Sequence, residues 1–198
     1  MTSFFKDKYE RFWSWFYENE DRLFNFEKHQ EELFDELSYE LEEIDPNLTF
    51  EISCIKENGK RELVISAGGI KSAFDEVENL VDVAPKLRSW EFIKYRPRRD
   101  TLSELDFQGK KVKPEDVYYA IFYEDNPSKV GIILFFKEYK EEELDLWGQI
   151  TYLFLDEALG EYDVETKVGG IMATSINSKY FKHAHPINEL QKAFDSCF

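Results

Sequence analysis

The sequence predicts an α+β protein. Two stretches carry the signature of a β-hairpin, one turning at Asn58-Gly59 and one across Glu124 to Ser128, and each leads into a segment whose apolar residues recur at helical spacing. The expected architecture is a mostly antiparallel sheet, built from the two hairpins plus connecting strands and covered by about five helices. With 198 residues, 42% of them hydrophobic, the chain can bury a full core, so a single domain over 1–198 is expected, with the helical segment 1–45 as a separate layer.

Thr2 or Ser3 can cap a first helix in which Phe5, Tyr9, Phe12, Trp13 and Phe16 share a face, while Trp15 and Tyr17 lie off that stripe. A second helix is expected over 25–44, with Phe26, Leu33, Phe34, Leu37, Leu41 and Ile44 on one side and acids on the other, ending at Asp45-Pro46. Leu48 to Lys56 alternates as a half-buried strand with Cys54 on its apolar face, and Arg61 to Ser66 returns antiparallel to it. After Gly68-Gly69, a helix carries Ile70, Phe74, Val77, Leu80 and Val81 on one face and stops at Pro85.

Trp90 to Arg96 reads as a third strand, followed by a polar stretch to Pro114 with a short strand near Leu105 to Phe107. Val117 to Tyr123 and Lys129 to Lys137 form the second hairpin. Glu141 to Leu159 is apolar almost all round, as in a helix buried on more than one side, and Gly160 is placed to cap it. A strand over 162–167, an edge strand over 171–176 and a last helix from Pro186 or Ile187 to about Ser196 complete the expectation. The two hairpin-plus-helix units echo each other, as two related halves packed on one sheet would.

The stretches Arg61 to Ala67, Trp90 to Arg99 and Leu153 to Tyr162 resemble segments of uncharacterised bacterial proteins catalogued as domains of unknown function. The resemblance implies a bacterial, cytoplasmic setting and brings no catalytic or binding residue with it. Composition agrees with that setting. Cys54 and Cys197 stand far apart, supporting neither a disulfide framework nor a four-cysteine zinc site, and charges interrupt the N-terminus before a signal-peptide core can form. No charge-free run approaches the length of a membrane span, so no membrane partner is expected.

Charge is the clearest functional clue. Residues 86–113 hold nine Lys and Arg against four acids, a net +5, which leaves −21 on the other 170 residues of a chain whose total is −16. Along an extended strand Trp90, Phe92, Lys94 and Arg96 project to one side, with Arg98 and Arg99 just beyond, so Trp90, Lys94, Arg96, Arg98 and Arg99 are the candidate ligand-binding residues. The plainer reading is that Trp90 and Phe92 belong to the core and the cations neutralise acids from the helices. A single-stranded nucleic acid is disfavoured, because the rest of the chain repels a polyanion.

Other motifs are weaker. Ser66-Ala67-Gly68-Gly69 lacks the fuller glycine-rich phosphate fingerprints, and a tight strand-to-helix turn accounts for it. His183-x-His185 needs a third ligand to hold a metal, and Asp156, Glu157, Glu161 or Asp163 would have to supply it, so no metal or cofactor is expected. Asp156, on the most apolar helix, is a carboxylate to watch for burial. No catalytic constellation is present. The favoured expectation is a non-enzymatic module that binds another protein through its acidic helices or its basic strand, as small acidic immunity proteins cover basic toxins. The alternative is an enzyme or small-molecule binder in which Arg96, Arg98 or Arg99 holds an anionic ligand.

Overall fold

The computed structural model describes residues 7–198 and has an α+β fold. The chain divides into two compact units, one running to Arg96 and the other from Pro97 to Phe198. The expected caps at Thr2 or Ser3, and Phe4 and Phe5, lie outside the described residues.

The first unit opens with α1 (Lys8–Glu18), which buries Phe12, Trp13 and Phe16. α1 stops at Asn19, whose side-chain amide donates to the Trp15 carbonyl at 2.9 Å. A short α2 (Glu20–Phe24) follows, then a 3₁₀ turn over Phe26–Lys28 and α3 (Gln30–Glu42). The single helix expected over 25–44 is therefore broken. Asn25 spends its side-chain amide on the Asp21 carbonyl, closing α2, and His29 lies at φ −146°, outside the helical region. Only from Gln30 does the Leu33, Leu37, Leu41 stripe run as a continuous helix, with all three leucines buried.

Strands β1 (Thr49–Ile52) and β2 (Arg61–Ser66) pair antiparallel from Thr49↔Ser66 to Ile52↔Leu63. Gly59, at φ +78°, and the Asn58 side chain, which accepts from the Lys60 N–H at 3.0 Å, shape the turn between them. Cys54 lies beyond β1 and is exposed, not on an apolar strand face as its spacing suggested. After α4 (Phe74–Asp82) the chain returns as β3 (Trp90–Lys94), parallel to β2 from Arg61↔Trp90 to Ile65↔Lys94. α1, α3, α4 and this sheet share one core containing Phe16, Leu37, Leu63, Val77 and Trp90.

The second unit begins with a small hairpin, β4 (Leu105–Phe107) and β5 (Lys110–Val112). The main hairpin, β6 (Val117–Tyr123) and β7 (Val130–Phe136), pairs from Val117↔Phe136 to Tyr123↔Val130. α5 (Leu144–Leu159) lays Trp147, Ile150, Phe154, Leu155 and Ala158 into the core, and Gly160 at φ +79° and ψ 146° turns the chain into α6 (Glu161–Lys167). The strand expected over 162–167 is thus a helix. Its one buried apolar residue is Val164, and Asp163 pairs with Lys167 one turn on, at 2.9 Å. β8 (Val168–Ser175) then runs parallel to β7 at the sheet edge, β9 (His185–Pro186) pairs with β6, and α7 (Leu190–Asp195) buries Leu190 and Phe194. The sheet order is β8-β7-β6-β9.

Each unit follows strand, antiparallel strand, helix, parallel strand, which is the echo heard in the sequence. The two sets of strands lie in separate sheets, however, rather than on one. Pairing is mostly antiparallel across the molecule, with β2·β3 and β7·β8 the parallel exceptions that the intervening helices permit. No helix among the described residues is long and apolar enough to cross a membrane.

Candidate functional site

Most of the basic window is matched internally, although Lys86, Arg88 and Lys113 have no ion-pair partner among the described residues. Trp90 is 2% exposed, with its ring against Phe16 and Phe24. In the first unit Lys94 Nζ sits 2.7 Å from Asp82, and Arg96 Nε donates to Glu51 at 2.9 Å. In the second, Arg98 is fully engaged: Nε donates to the Leu159 carbonyl at 2.8 Å, Nη1 to Asp195 at 2.7 Å and Nη2 to Asp163 at 2.5 Å. Although partial burial opposes its charge, these two carboxylates hold Arg98 above the usual guanidinium value. Arg99 lies 3.7 Å from Glu157 and lines a cleft of about 430 Å³ with Thr101, Asn188 and Gln191. The five candidates divide between the units, Trp90, Lys94 and Arg96 in one and Arg98 and Arg99 in the other.

The acidic surplus, in turn, is concentrated. Residues 7–45 carry four Lys and Arg against fourteen Asp and Glu, whereas residues 46–96 carry eight of each. The whole imbalance of the first unit therefore lies on its helical segment. α1 presents two adjacent rows there, because residues four apart stack along a helix. One row is Tyr9, Trp13 and Tyr17; the other is Glu10, Ser14 and Glu18. Together with Asp7, and with Val83 and Pro85 beyond α4, they line an open groove of about 600 Å³.

The floor of this groove is fixed by its far ends. Trp13 Nε1 donates to the Leu80 carbonyl at 2.8 Å, and the Tyr9 hydroxyl donates to Glu76 at 2.7 Å, beside Lys8 at 2.7 Å from the same carboxylate. Burial raises Glu76, but hydrogen bonds from Lys8 and Tyr9 outweigh it and hold the carboxyl below its usual range. Tyr17, at the rim, is 65% exposed. Asp7, Glu10 and Glu18 have no ion-pair partner among the described residues. The groove thus offers rigid aromatic and aliphatic walls under a rim of negative charge that no described cation pairs.

The sequence pointed to the acidic helices and to Tyr17 as a surplus aromatic, but not to Val83 and Pro85, which come from a distant segment. A spacing of four residues joins Tyr17 to Tyr9 and Trp13, a signal hidden by the wider apolar stripe, off which Tyr17 lies. Trp15, the other off-stripe aromatic, packs against the core.

The remaining motifs have structural explanations. In the strand-to-helix turn, Gly68 N–H donates to Ser66 Oγ at 3.0 Å and Ile70 N–H to the Ala67 carbonyl at 2.9 Å, so these amides are spent within the turn. Asp156 is half-buried. Both cysteines are free. Among the described residues no group of His, Cys, Asp and Glu is disposed to hold a metal ion. Comparison with family models, with curated proteins and with solved structures finds no match to this chain.

Proposed function

We propose that this protein is a non-enzymatic binding module whose acidic helical segment receives a basic segment of a partner protein, with the α1 groove as its anchor point. The observation that carries this reading is the groove itself, where an aromatic row lies beside carboxylates that have no ion-pair partner among the described residues. An apolar or aromatic side chain of the partner fills the groove, and Lys or Arg on either side of it meets Asp7, Glu10 and Glu18. Buried aromatic anchors supply affinity in such contacts, and the surrounding charge supplies rate and partner choice. The two free cysteines and the resemblance to bacterial segments fit a reduced, bacterial cytoplasm. An arginine-lined cleft for an anion is the weaker reading, because Arg98 would have to abandon a carbonyl and two carboxylates to serve it.

The test is titration with a Lys/Arg-rich amphipathic peptide carrying one Trp. Glu10→Lys with Glu18→Lys is expected to weaken binding by at least about tenfold, and Tyr17→Ala by about fivefold. Glu141→Lys with Glu142→Lys makes the same change in net charge at residues that do not line the groove and is expected to stay within about twofold. Equal loss in both double variants, or no binding by the natural chain at low salt, contradicts the proposal.

A further inference from the structure

The second unit carries a separate groove, of about 1150 Å³, along β6 between the 3₁₀ turn over Lys179–His183 and α7. One wall is the β6 face bearing Tyr119, Ile121 and Tyr123, residues two apart that must point the same way. His185 pairs directly with Tyr119 across the β6·β9 ladder, so its imidazole stands beside the phenol, 5.9 Å between ring centres. Lys182, His183 and Lys192 join Asn188 and Ser196 in the polar lining, in which Glu189 is the sole acid.

Two features mark this groove as more than surface. Tyr119 is 3% exposed, and its hydroxyl, which has no hydrogen-bond partner among the described residues, is not sealed in the core but keeps accessible surface on the groove that Tyr119 lines. Burial, and then the charges of Glu189 and Cys197, push its ionisation upward, so it faces the groove as an O–H donor. Lys182 and Lys192 likewise have no ion-pair partner among the described residues, in a chain of net charge −16 whose basic window is largely consumed by its own acids.

We propose that this groove binds a small organic anion, with its carboxylate or phosphate head held by the Tyr119 hydroxyl and by Lys182 and Lys192, and its apolar body against Ile121 and Tyr123. Only a small part of Tyr119 is accessible, so a compact head group reaches its hydroxyl more readily than a main chain does. Imidazoles of His183 and His185 add further donors around the head. Pockets that combine an apolar wall with a few convergent polar groups are the usual form of small-molecule sites.

The experiment is an amide-shift titration of the ¹⁵N-labelled full chain with phenyl phosphate and with phenylacetate, using benzyl alcohol as the neutral control. Both anions are expected to shift amides of 119–123, 182–189 and 192–197 saturably, and benzyl alcohol to bind at least about tenfold more weakly. Lys182→Glu with Lys192→Glu should weaken the anions by at least about tenfold, and Tyr119→Phe by about threefold to tenfold, with the rest of the spectrum retained. Should Tyr119→Phe disturb the fold, the exposed single change Lys192→Gln still has to weaken both anions. Shifts that are absent, equal for benzyl alcohol or indifferent to these variants overturn the proposal. A glutamate-rich peptide that shifts the same amides at a hundredth of the phenyl phosphate concentration would also overturn it, by making the groove a peptide site.

Discussion

The two units carry the chain along one path and decorate it differently. In the first, helices α1 to α3 precede the strand-strand-helix-strand path; in the second, β9 and α7 follow it. The path itself is close to neutral in the first unit, eight cations against eight acids over 46–96, and the added helices hold the charge. In the second unit the added segment supplies Lys182, His183, His185 and Lys192 to a groove on the sheet. The shared path and the additions build each core together, and the additions also carry the surfaces proposed to have opposite preference, one for cations and one for anions. Each unit also fastens its additions with one arginine. Arg61 donates to the Phe24 and Ser53 carbonyls and pairs with Glu27, under the rings of Phe24 and Phe26; Arg98 holds α6 and α7 through Asp163 and Asp195.

The comparison can be broken first at the cores. Phe16→Ala in one unit and Phe154→Ala in the other, both about 1% exposed or less, should each cost about 3–5 kcal/mol in urea unfolding, and a much smaller cost in one would deny the units equal cores. The two arginines come next. Arg61, with its side chain only 3% exposed, should cost about 2–3 kcal/mol when changed to Ala, since two carbonyls lose their donor inside the unit. Arg98→Ala should cost less, about 1–2 kcal/mol, its side chain being 26% exposed and its partners partly hydrated.

The smallest effect is the dependence on pH. Burial raises Asp163, but hydrogen bonds from Lys167 and Arg98 outweigh it and hold the carboxyl below its ordinary value of 3.8. A depressed native value means that the contribution is complete above the unfolded value and is lost as pH falls through the native one. The difference in stability between the natural chain and Asp163→Asn, about 1 kcal/mol at pH 7, should therefore begin to shrink as pH falls past 3.8 and vanish only below the depressed native value. A difference that persists there would show that Asp163 acts through packing, not charge.

Much of the fold was legible because its signals are local. Asn58-Gly59 specified a turn, the Leu33, Leu37, Leu41 spacing specified a helix, and Gly160 marked the end of α5. Residues 162–167 misled because Tyr162, Val164 and Thr166 alternate as a strand does, while the signal for a helix, Asp163 four residues before Lys167, is easily missed among so many acids. The direction of β3 was not readable from Trp90 to Lys94 alone, since a strand's residues do not say which way its neighbour runs. The basic window was visible, but its partners were not: Arg96 meets Glu51 and Arg98 meets Asp195, 45 and 97 residues away. Both grooves escaped for the same reason, each joining one local row to residues brought in by the fold, Val83 and Pro85 to α1, and Lys182 and Lys192 to Tyr119.

The most direct test is to map two probes on one ¹⁵N-labelled sample, the Lys/Arg-rich Trp peptide and phenyl phosphate. The peptide should move amides of 7–18 and 83–85 and leave 119–123 still, while phenyl phosphate does the reverse. If the peptide instead shifts acidic surfaces across both units alike, or both probes move the same residues, the two units do not carry surfaces of opposite preference.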